Sequence, residues 1–265
     1  MSEPLFVEER RRVILDELRK NGRVAVKALS EAMHVSAVTI RQDLRALEES
    51  GLLERTYGGA VRRADDNLMP ELSFHTRHGR QRQAKQAIAR RAASLVRSGN
   101  TIALDCSTTA FAMVPFLKPL GKLTVLTNSL VIAQSFLDTP TVEVLLPAGR
   151  LRRDSISIVG QTSDLMNLNL NAAFLGTRGI TLSEGFSDVD PDEVVFKHAL
   201  VQRAVLSVIV ADATKWGQVA AYTFARPDEV DRIITARDAP DDMVRVFRQS
   251  GVEVDLVQLD GPHRG

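Results

Sequence analysis

Residues that can bind a small anion follow a short apolar run near the middle of the chain. Thr101–Leu104 is typical of a buried strand, and Ser107, Thr108 and Thr109 come just after it, where a helix is predicted to begin. Hydroxyl groups and free amides at a helix N-terminus can hold a negative group, because the helix dipole favours negative charge there. Plain capping by Ser and Thr explains the same pattern equally well, so both interpretations stay open at this point.

Polar residues follow other predicted strands in the same way. Ligands of parallel α/β sheets bind beyond the carboxyl ends of the strands, so these residues are expected to converge. Their carboxylates, amide and basic groups suit the hydroxyls and the charge of a small polyhydroxylated anion. The candidates are Asp105 after the first strand, Asn128 in Thr127-Asn128-Ser129, Gly149 and Arg150 after the third strand, and Asp212 and Lys215 in Asp212-Ala213-Thr214-Lys215.

The strands that must position these residues alternate with helices along most of the chain. This alternation predicts an α/β domain with a mostly parallel sheet over residues 85–258. Residues 64–84 are polar and aperiodic and are interpreted as a linker. The predicted elements are a helix over Lys85–Arg97 and, besides Thr101–Leu104, strands at Leu123–Thr127, Val142–Pro147, Ala172–Leu175, Leu206–Ala211 and Arg232–Thr235.

The first sixty residues show a different pattern. Apolar positions at helical spacing predict helices over Glu8–Lys20 and Val26–Met33. Ser36 is the expected N-cap of a third helix that runs to about Ser50. Two helices, a turn and a further helix form the helix-turn-helix pattern of DNA-binding proteins.

The exposed side of the third helix suits the major groove of DNA. Small residues in the first turn let the backbone approach, and longer donors beyond it reach base edges and phosphates. A solvated polar face is the ordinary alternative for any single arginine, but the small residues of the first turn favour DNA. The candidates are Ser36, Ala37, Thr39, Arg41, Gln42 and Arg45.

Residues 52–63 read as two extended arms around Gly58-Gly59, which is a hairpin pattern. Directly after a helix-turn-helix, such a hairpin is interpreted as a wing. Arg55 and Arg62 on its arms are the candidate phosphate or minor-groove contacts. The sequence therefore predicts a winged helix-turn-helix domain over residues 1–63.

Composition limits the classes of function. No apolar run approaches the roughly 20 residues of a membrane helix, and the N-terminus lacks the order of a signal peptide, so a cytoplasmic location is expected. The single cysteine, Cys106, excludes an intramolecular disulfide and a cysteine-cluster metal site, and no metal or cofactor is expected.

Charge is distributed unevenly along the chain. Residues 1–91 hold 18 Lys and Arg against 13 Asp and Glu, whereas the rest of the chain holds 16 against 20. The N-terminal part is the one expected to meet phosphates.

Several motifs resemble the DNA-binding segment of DeoR-type bacterial regulators. Val35–Leu44 reads V-S-A-V-T-I-R-Q-D-L, which is similar to the family pattern V-S-x-x-T-I-R-R-D-L. Leu47-Glu48, Gly51 and Arg55–Ala60 match the segments that follow. Gln42 replaces the usual second arginine and Tyr57 the usual histidine. The amide of Gln42 suits adenine rather than guanine or phosphate, so an operator preference different from the family's norm is expected, while DNA binding is still expected.

The larger part resembles the sensor domain of the same family, which implies a fold like that of ribose-5-phosphate isomerases and a phosphosugar effector. By this resemblance, Ser107, Thr108 and Thr109 would hold the phosphate, and hydroxyls would meet Asp105, Asn128, Glu193 and Lys215. Ser107 stands where the family has glycine, so it would add a donor or narrow the pocket. The matching residues are Asp105–Thr109, Thr127–Ser129, Ala148–Arg152, Phe174–Ile180, Glu193 and Lys197 of a helix, and Asp212–Lys215.

The leading hypothesis is a repressor of a sugar-metabolism operon that binds double-stranded operator DNA and is released by a phosphorylated sugar. Helix-turn-helix proteins usually bind two half-sites, so a homo-oligomer, dimer or tetramer, is expected. The rival is a sugar-phosphate isomerase with Asp105 or Glu193 as base, although an isomerase would not need a DNA-binding domain. A third hypothesis is a DNA-binding scaffold that responds to no ligand.

Overall fold

A computed structural model of the chain describes residues 7–21, 23–49, 53–56, 58–61, 74–160 and 168–259. The chain divides into two compact units, Met1–Leu72 and Ser73–Gly265. Each unit has its own apolar core and is described by itself.

Helices and a small antiparallel sheet form the described part of the N-terminal unit. Ile14, Ile40 and Leu44 are fully buried where the apolar faces of the helices meet. The predicted helix-turn-helix and hairpin are confirmed, and an unpredicted strand, β1, pairs with β3. The helices are α1 Val7–Asn21, α2 Val26–Met33 and α3 Ala37–Glu49, and the strands are β1 Arg23–Ala25, β2 Glu54–Thr56 and β3 Gly59–Val61, in the order β1-β3-β2.

The turn between α2 and α3 is built from local hydrogen bonds. His34 adopts φ 53°, and its amide donates to the Ser30 carbonyl, which ends α2. The Ser30 hydroxyl donates to the Val35 carbonyl at 2.6 Å. The Ser36 hydroxyl accepts from the Thr39 amide at 3.1 Å, so the predicted N-cap of α3 is confirmed.

Asp43 fixes α3 against α1. Its Oδ2 lies 2.5 Å from Arg10 Nε and its Oδ1 lies 3.2 Å from Arg11 Nε. Asp43 and Arg10 are both buried. Because a buried charge is costly unless it is paired, this contact sets the position of the helix that carries the candidate DNA-contacting residues.

The described residues of the larger unit form a seven-stranded sheet in which every described pairing is parallel. Its order is β15-β14-β12-β9-β4-β5-β6, which confirms the predicted α/β class. The strands of this sheet are β4 Thr101–Leu104, β5 Leu123–Thr127, β6 Val142–Leu145, β9 Ala172–Leu175, β12 Ser207–Val210, β14 Arg232–Ala236 and β15 Glu253–Val257. The helices are α4 Phe74–Gly79, α5 Arg82–Ala93, α6 Thr108–Phe111, α7 Val114–Leu117, α8 Leu130–Ser135, α9 Pro191–Val201 and α10 Asp241–Gln249.

Two further small sheets lie at the edges of this unit. The strands β7 Arg150–Arg152 and β8 Ser157–Val159 form an antiparallel hairpin, and β10 Gly179–Thr181, β11 Gly185–Asp188 and β13 Tyr222–Ala225 form an antiparallel sheet. These short strands were not predicted from the sequence. The hairpin joins the end of β5, because the Ile158 amide donates to the Asn128 carbonyl at 2.7 Å.

Both faces of the central sheet are covered, because alternate residues of a strand point to opposite sides. Ile102 and Leu104 of β4 belong to the apolar core beneath α5, whereas Ala103 belongs to the core beneath α9 and α10. Strand order reverses beside β4, since β5 and β6 continue to one side and β9 and β12 to the other. Ligands of such sheets bind at this point of reversal.

The structure differs from the predicted linker over its second part. Residues 74–79 form α4, and α5 begins at Arg82 rather than Lys85. Phe74 is buried and its ring meets Phe111 edge-on at 5.5 Å. The polar, aperiodic sequence hid this helix because only Phe74 supplies it with an apolar anchor. Residues 62–73 lie outside the described residues.

We expect Asp43→Ala to lower the free energy of unfolding of the N-terminal unit by about 3 kcal/mol, because Arg10 loses the carboxylate that offsets its buried charge. Urea denaturation of the full chain, followed by circular dichroism, measures the change. Glu31→Ala removes an exposed carboxylate of α2 and should change stability by less than about 0.5 kcal/mol. Equal effects of the two substitutions would contradict the role given to Asp43.

Candidate functional site

The predicted donors of α3 lie on its solvent-facing side. Arg41, Gln42 and Arg45 are exposed, while Ile40 and Leu44 between them are buried. The helix therefore presents two guanidinium groups and one amide together, as a recognition helix requires.

The first turn of α3 adds a residue that sequence reasoning missed. Val38 is 60% exposed and lies between Ala37 and Thr39, which are half-buried. An exposed apolar side chain there can contact the methyl group of thymine. Ser36 is exposed, but its hydroxyl also lies 2.8 Å from Thr39 Oγ1 and caps the helix.

The hairpin of β2 and β3 is joined to α3 through Glu48. Its Oε1 accepts from the Arg55 amide at 3.2 Å, and its Oε2 lies 3.7 Å from Arg55 Nη1. Gly59 allows β3 to approach β1, since a Cβ there would lie 2.0 Å from the Val24 carbonyl oxygen. Arg55 is thus an exposed group on a positioned strand, whereas Arg62 lies outside the described residues.

In the larger unit, the ammonium group of Lys197 joins the ends of several strands. Its Nζ lies 3.0 Å from Asp105 Oδ2 and 2.5 Å from Asp188 Oδ2, and it donates to the Gly176 carbonyl at 2.8 Å. Burial alone would lower the pKa of Lys197, but Asp188 and Asp105 outweigh it and raise the pKa above its usual value. Burial alone would raise the pKa of Asp188, but Lys197 and Arg178 outweigh it and lower that pKa.

Glu193 on α9 is held by side chains from separate segments. Its Oε2 accepts from Asn128 Nδ2 at 2.8 Å, and its Oε1 accepts from Ser157 Oγ at 2.5 Å and Ser155 Oγ at 3.2 Å. Arg152 Nη1 lies 3.9 Å from the same Oε1. The serines belong to the β7–β8 hairpin and were missed together with it, whereas Arg152 lies in the Ala148–Arg152 motif but was not named as a candidate.

Asn128 keeps one hydrogen-bonding atom available. Its side chain is fully buried, and its Oδ1 accepts no hydrogen bond from the described residues. Leaving a buried acceptor unsatisfied costs about 1–3 kcal/mol. A ligand hydroxyl placed beside Asn128 would donate to this oxygen while Glu193 keeps the amide orientation fixed.

Ser107 caps α6, which confirms the capping interpretation for this residue. Its Oγ accepts from the Ala110 amide at 3.1 Å, and its own amide donates to Asp105 Oδ1 at 3.0 Å. Its side chain faces Gly176, where an added Cβ would lie 2.3 Å from Ser107 Cβ. Thr108 and Thr109 follow it in α6 and are buried.

Basic side chains gather near Asp212, which follows β12 and caps the next turn by accepting from the Thr214 amide at 3.0 Å. The pKa of Arg178 is lowered to about 10, chiefly by burial and next by the charge of Arg77, while Asp188 opposes this change. Burial also lowers the pKa of Lys215; Asp212 opposes this change, while Arg178 and Arg77 add to it. These positive charges are close enough to repel one another.

Lys85 on α5 belongs to the same group. The pKa of Lys85 is lowered to about 8, chiefly by burial; Asp212 opposes this change, while Lys215, Arg77 and Arg80 contribute to it. We call Arg77, Arg80, Lys85, Arg178 and Lys215 the basic cluster. A bound anion would relieve their repulsion. Arg178 lies in a motif already noted in the sequence, but no sequence signal separated Lys85 from the exposed charges around it.

Gly149 and Arg150 are exposed and lie outside the buried part of the site. Arg150 is exposed and pairs with Asp192 at the start of α9. Gly149 allows two backbones to approach, because a Cβ there would lie 2.3 Å from the Val159 carbonyl oxygen. Arg152, two residues on, is the arginine that reaches Glu193.

The described residues contain no group of three His, Cys, Asp or Glu side chains that could hold a metal ion. Burial raises the pKa of the Cys106 thiol, and Glu193 and Asp105 raise it further, so this thiol is a packing group at neutral pH. Within the same residues, no helix is long and apolar enough to cross a membrane.

Models of known families match both units. The DeoR C terminal sensor domain matches residues 80–237, and the DeoR-like helix-turn-helix domain matches residues 10–65. The chain belongs to the DeoR family. This confirms the resemblance noted in the sequence motifs of both units.

DeoR-family relatives match nearly the whole chain. The HTH-type transcriptional regulator GolR of Listeria innocua is 32% identical over 256 residues, which cover 96% of this chain and 100% of that protein. The glycerol-3-phosphate regulon repressor of Escherichia coli is 28% identical over 250 residues, which cover 94% and 98%. The chain is therefore a DNA-binding transcriptional regulator of the DeoR family and not an enzyme, as predicted.

Solved structures similar to this DeoR-family chain include ribose 5-phosphate isomerase A from Methanocaldococcus jannaschii. It is 16% identical, with a TM-score of 0.37, and the match covers 51% of this chain and 54% of that one. A likeness at this level supports no conclusion about activity.

We expect Lys197→Met to destabilise the larger unit by about 3–5 kcal/mol at pH 7, because the buried Asp105 carboxylate then loses its ion pair with Lys197 and Asp188 keeps only the longer contact with Arg178. Without Lys197, burial should raise the pKa of Asp188, so the deficit of the variant relative to the native chain should shrink as pH falls from 7 towards 4. Thermal unfolding across this pH range measures the deficit. A stability deficit that does not change with pH would contradict the charge pairing. Lys122→Met, at an exposed position, is the control.

Proposed function

We propose that this DeoR-family regulator represses a sugar-metabolism operon in the cytoplasm and that a phosphorylated sugar, bound at the strand ends, relieves the repression. The observation that carries the proposal is the division of the site into two chemically different parts. One part offers buried hydroxyl-binding groups around Asn128 and Glu193. The other part is the basic cluster, whose positive charges could pair with a bound anion.

The hydroxyl-binding part has an oriented acceptor ready for a ligand. Asn128 Oδ1 accepts no described hydrogen bond, and Glu193 is fixed beside it by Ser155 and Ser157. Asp105 and Lys197 are already engaged with each other, so we assign them a positioning role. A sugar hydroxyl donating to Asn128 would recover the cost of a buried, unsatisfied oxygen.

The basic part supports a phosphate. Thr108 and Thr109 supply hydroxyl groups near the end of β4, and Lys85, Arg178 and Lys215 supply charge. A phosphate monoester carries about −1.5 to −2 charges near pH 7. It can therefore pair with several of these cations, whereas a neutral sugar cannot. The glycerol-3-phosphate regulon repressor, similar over 94% of this chain, is consistent with a small phosphorylated effector.

The DNA-binding part of the proposal assigns base and phosphate contacts to Arg41, Gln42 and Arg45 of α3, with Arg55 on the wing. Two such units are needed to read two half-sites, so we propose a homo-oligomer, a dimer or a tetramer. The effector then acts by favouring a form of this assembly that fits the operator poorly.

We expect Arg41→Ala to weaken operator binding by about 10- to 100-fold, which corresponds to the loss of about 1–3 kcal/mol from a base contact. Fluorescence anisotropy on a labelled duplex from upstream of the operon, compared with a scrambled duplex, measures the loss. Arg97→Ala removes the same charge at an exposed position of the other unit and should leave affinity nearly unchanged. If both substitutions weaken binding equally, α3 is not the recognition helix.

We expect Thr108→Val combined with Thr109→Val to raise the effector concentration that half-releases the operator by about tenfold or more, since hydrogen bonds to a charged phosphate are lost. A panel of sugar phosphates is added to the complex, and release is read by anisotropy. Thr141→Val, at an exposed position, is the control and should respond like the native chain.

Direct binding is read separately from the fluorescence of Trp216, the single tryptophan, which neighbours Lys215. If no sugar phosphate releases the operator and none changes the fluorescence of Trp216, the sensor proposal is wrong. The protein would then be a DNA-binding scaffold that responds to no ligand.

A further inference from the structure

The solvent-facing stripe of α3 carries one apolar residue among polar ones. Its members follow one another at intervals of three, one and three residues, so they lie on one face of the helix. They are Val38, Arg41, Gln42 and Arg45, and all four are exposed. Val38 is 60% exposed, whereas Ala37 beside it packs against the apolar core of this unit. The stripe therefore offers two methyl groups together with hydrogen-bonding groups.

The hydroxyl groups at the start of α3 are engaged within the protein. Ser36 Oγ accepts from the Thr39 amide at 3.1 Å and lies 2.8 Å from Thr39 Oγ1, so the two hydroxyls share a hydrogen bond. Contact of either hydroxyl with a base would disturb this cap, which stabilises the helix. Val38 and Gln42 take no part in the cap, so they can contact bases without disturbing it.

The stripe is held facing outwards before any DNA binds. Asp43 directly follows Gln42 and is buried, with its Oδ2 2.5 Å from Arg10 Nε on α1. This ion pair restrains rotation of α3 about its own axis. A surface that is already oriented loses less conformational entropy when it binds.

Val38 and Gln42 complement the two bases of an A·T pair. A glutamine amide can form two hydrogen bonds with N6 and N7 of adenine, and an apolar side chain contacts the C5 methyl group of thymine. Four residues of a helix advance by about 6 Å, which is less than two base steps of about 3.4 Å. In a major groove, the two side chains therefore reach the same base pair or pairs within two steps of each other.

We propose that Val38 and Gln42 together read a short A·T element in each operator half-site. Val38 contacts the thymine methyl group, and Gln42 binds N6 and N7 of adenine. The inference rests on the proposed function, since it requires α3 to lie in the major groove. The contact between methyl groups removes apolar surface from water, which favours thymine without any hydrogen bond.

The test is fluorescence anisotropy with the labelled duplex from upstream of the operon in three chemical forms. One form is natural, one has every thymine replaced by uracil, and one has every adenine replaced by 7-deazaadenine. Uracil lacks only the methyl group and 7-deazaadenine only the N7 acceptor, so base pairing is kept. For the native chain, uracil should weaken binding by about fourfold or more, as expected for one buried methyl group, and 7-deazaadenine by about tenfold.

Two variants assign each effect to one side chain. In Val38→Ala, the effect of uracil should fall below about twofold while the effect of 7-deazaadenine remains, and Gln42→Ala should show the reverse. Both positions are exposed and alanine favours helix, so the circular dichroism of both variants should match that of the native chain. Val246→Ala, at an exposed valine of α10, is the matched control and should show both effects in full.

The outcomes separate this inference from the function on which it rests. Equal affinity of the native chain for the thymine and uracil duplexes would overturn the inference, and so would a full uracil effect in Val38→Ala. A full 7-deazaadenine effect in Gln42→Ala would overturn it as well. In each of these cases, a preference for the natural duplex over a scrambled one would leave the proposed function standing. If the native chain shows no such preference, the proposed function and this inference both fail.

Discussion

The Lys197 ammonium joins segments from distant parts of the chain, and the geometry of the larger unit's site depends on it. Asp105 follows β4, Gly176 follows β9 and Asp188 ends β11, and all three contact one nitrogen atom contributed by α9. Burying these charges costs several kcal/mol for each ion unless they pair closely. The contacts of Lys197 with these three residues are therefore expected to form together or not at all. Once Lys197 is in place, Glu193 one turn earlier on α9 is brought to Asn128, and the two parts of the site acquire fixed positions.

This dependence explains which site residues could be found from the sequence. Asp105, Asn128 and Asp212 each follow an apolar strand, and a parallel sheet brings such positions to one edge. Glu193 and Lys197 were found through family motifs instead, because a helix in isolation does not reveal what its polar residues will face. The recognition helix was predictable for a local reason, since Ser36 and the spacing of Ile40 and Leu44 lie within one short stretch.

The residues that sequence reasoning missed depend on contacts far apart in the chain. Ser155 and Ser157 belong to a hairpin with strands of three residues, too short to show a period. Lys85 resembles its exposed neighbours until α5 docks on the sheet and buries it. Arg152 lies in the Ala148–Arg152 motif, but only the pairing of β7 with β8 places it beside Glu193, while Arg150 stays exposed. In each case local sequence determines the element, while packing determines the role.

The contact between Ser107 and Gly176 links two positions some seventy residues apart. A side chain at 107 occupies the space that a Cβ at 176 would need, so the two sites cannot both be enlarged. Among related chains, a residue larger than glycine at the first position should accompany glycine at the second. A chain that gained a larger residue at 176 would first have to acquire glycine at 107, so the order of the substitutions, and not only their sum, would decide how this site diversifies.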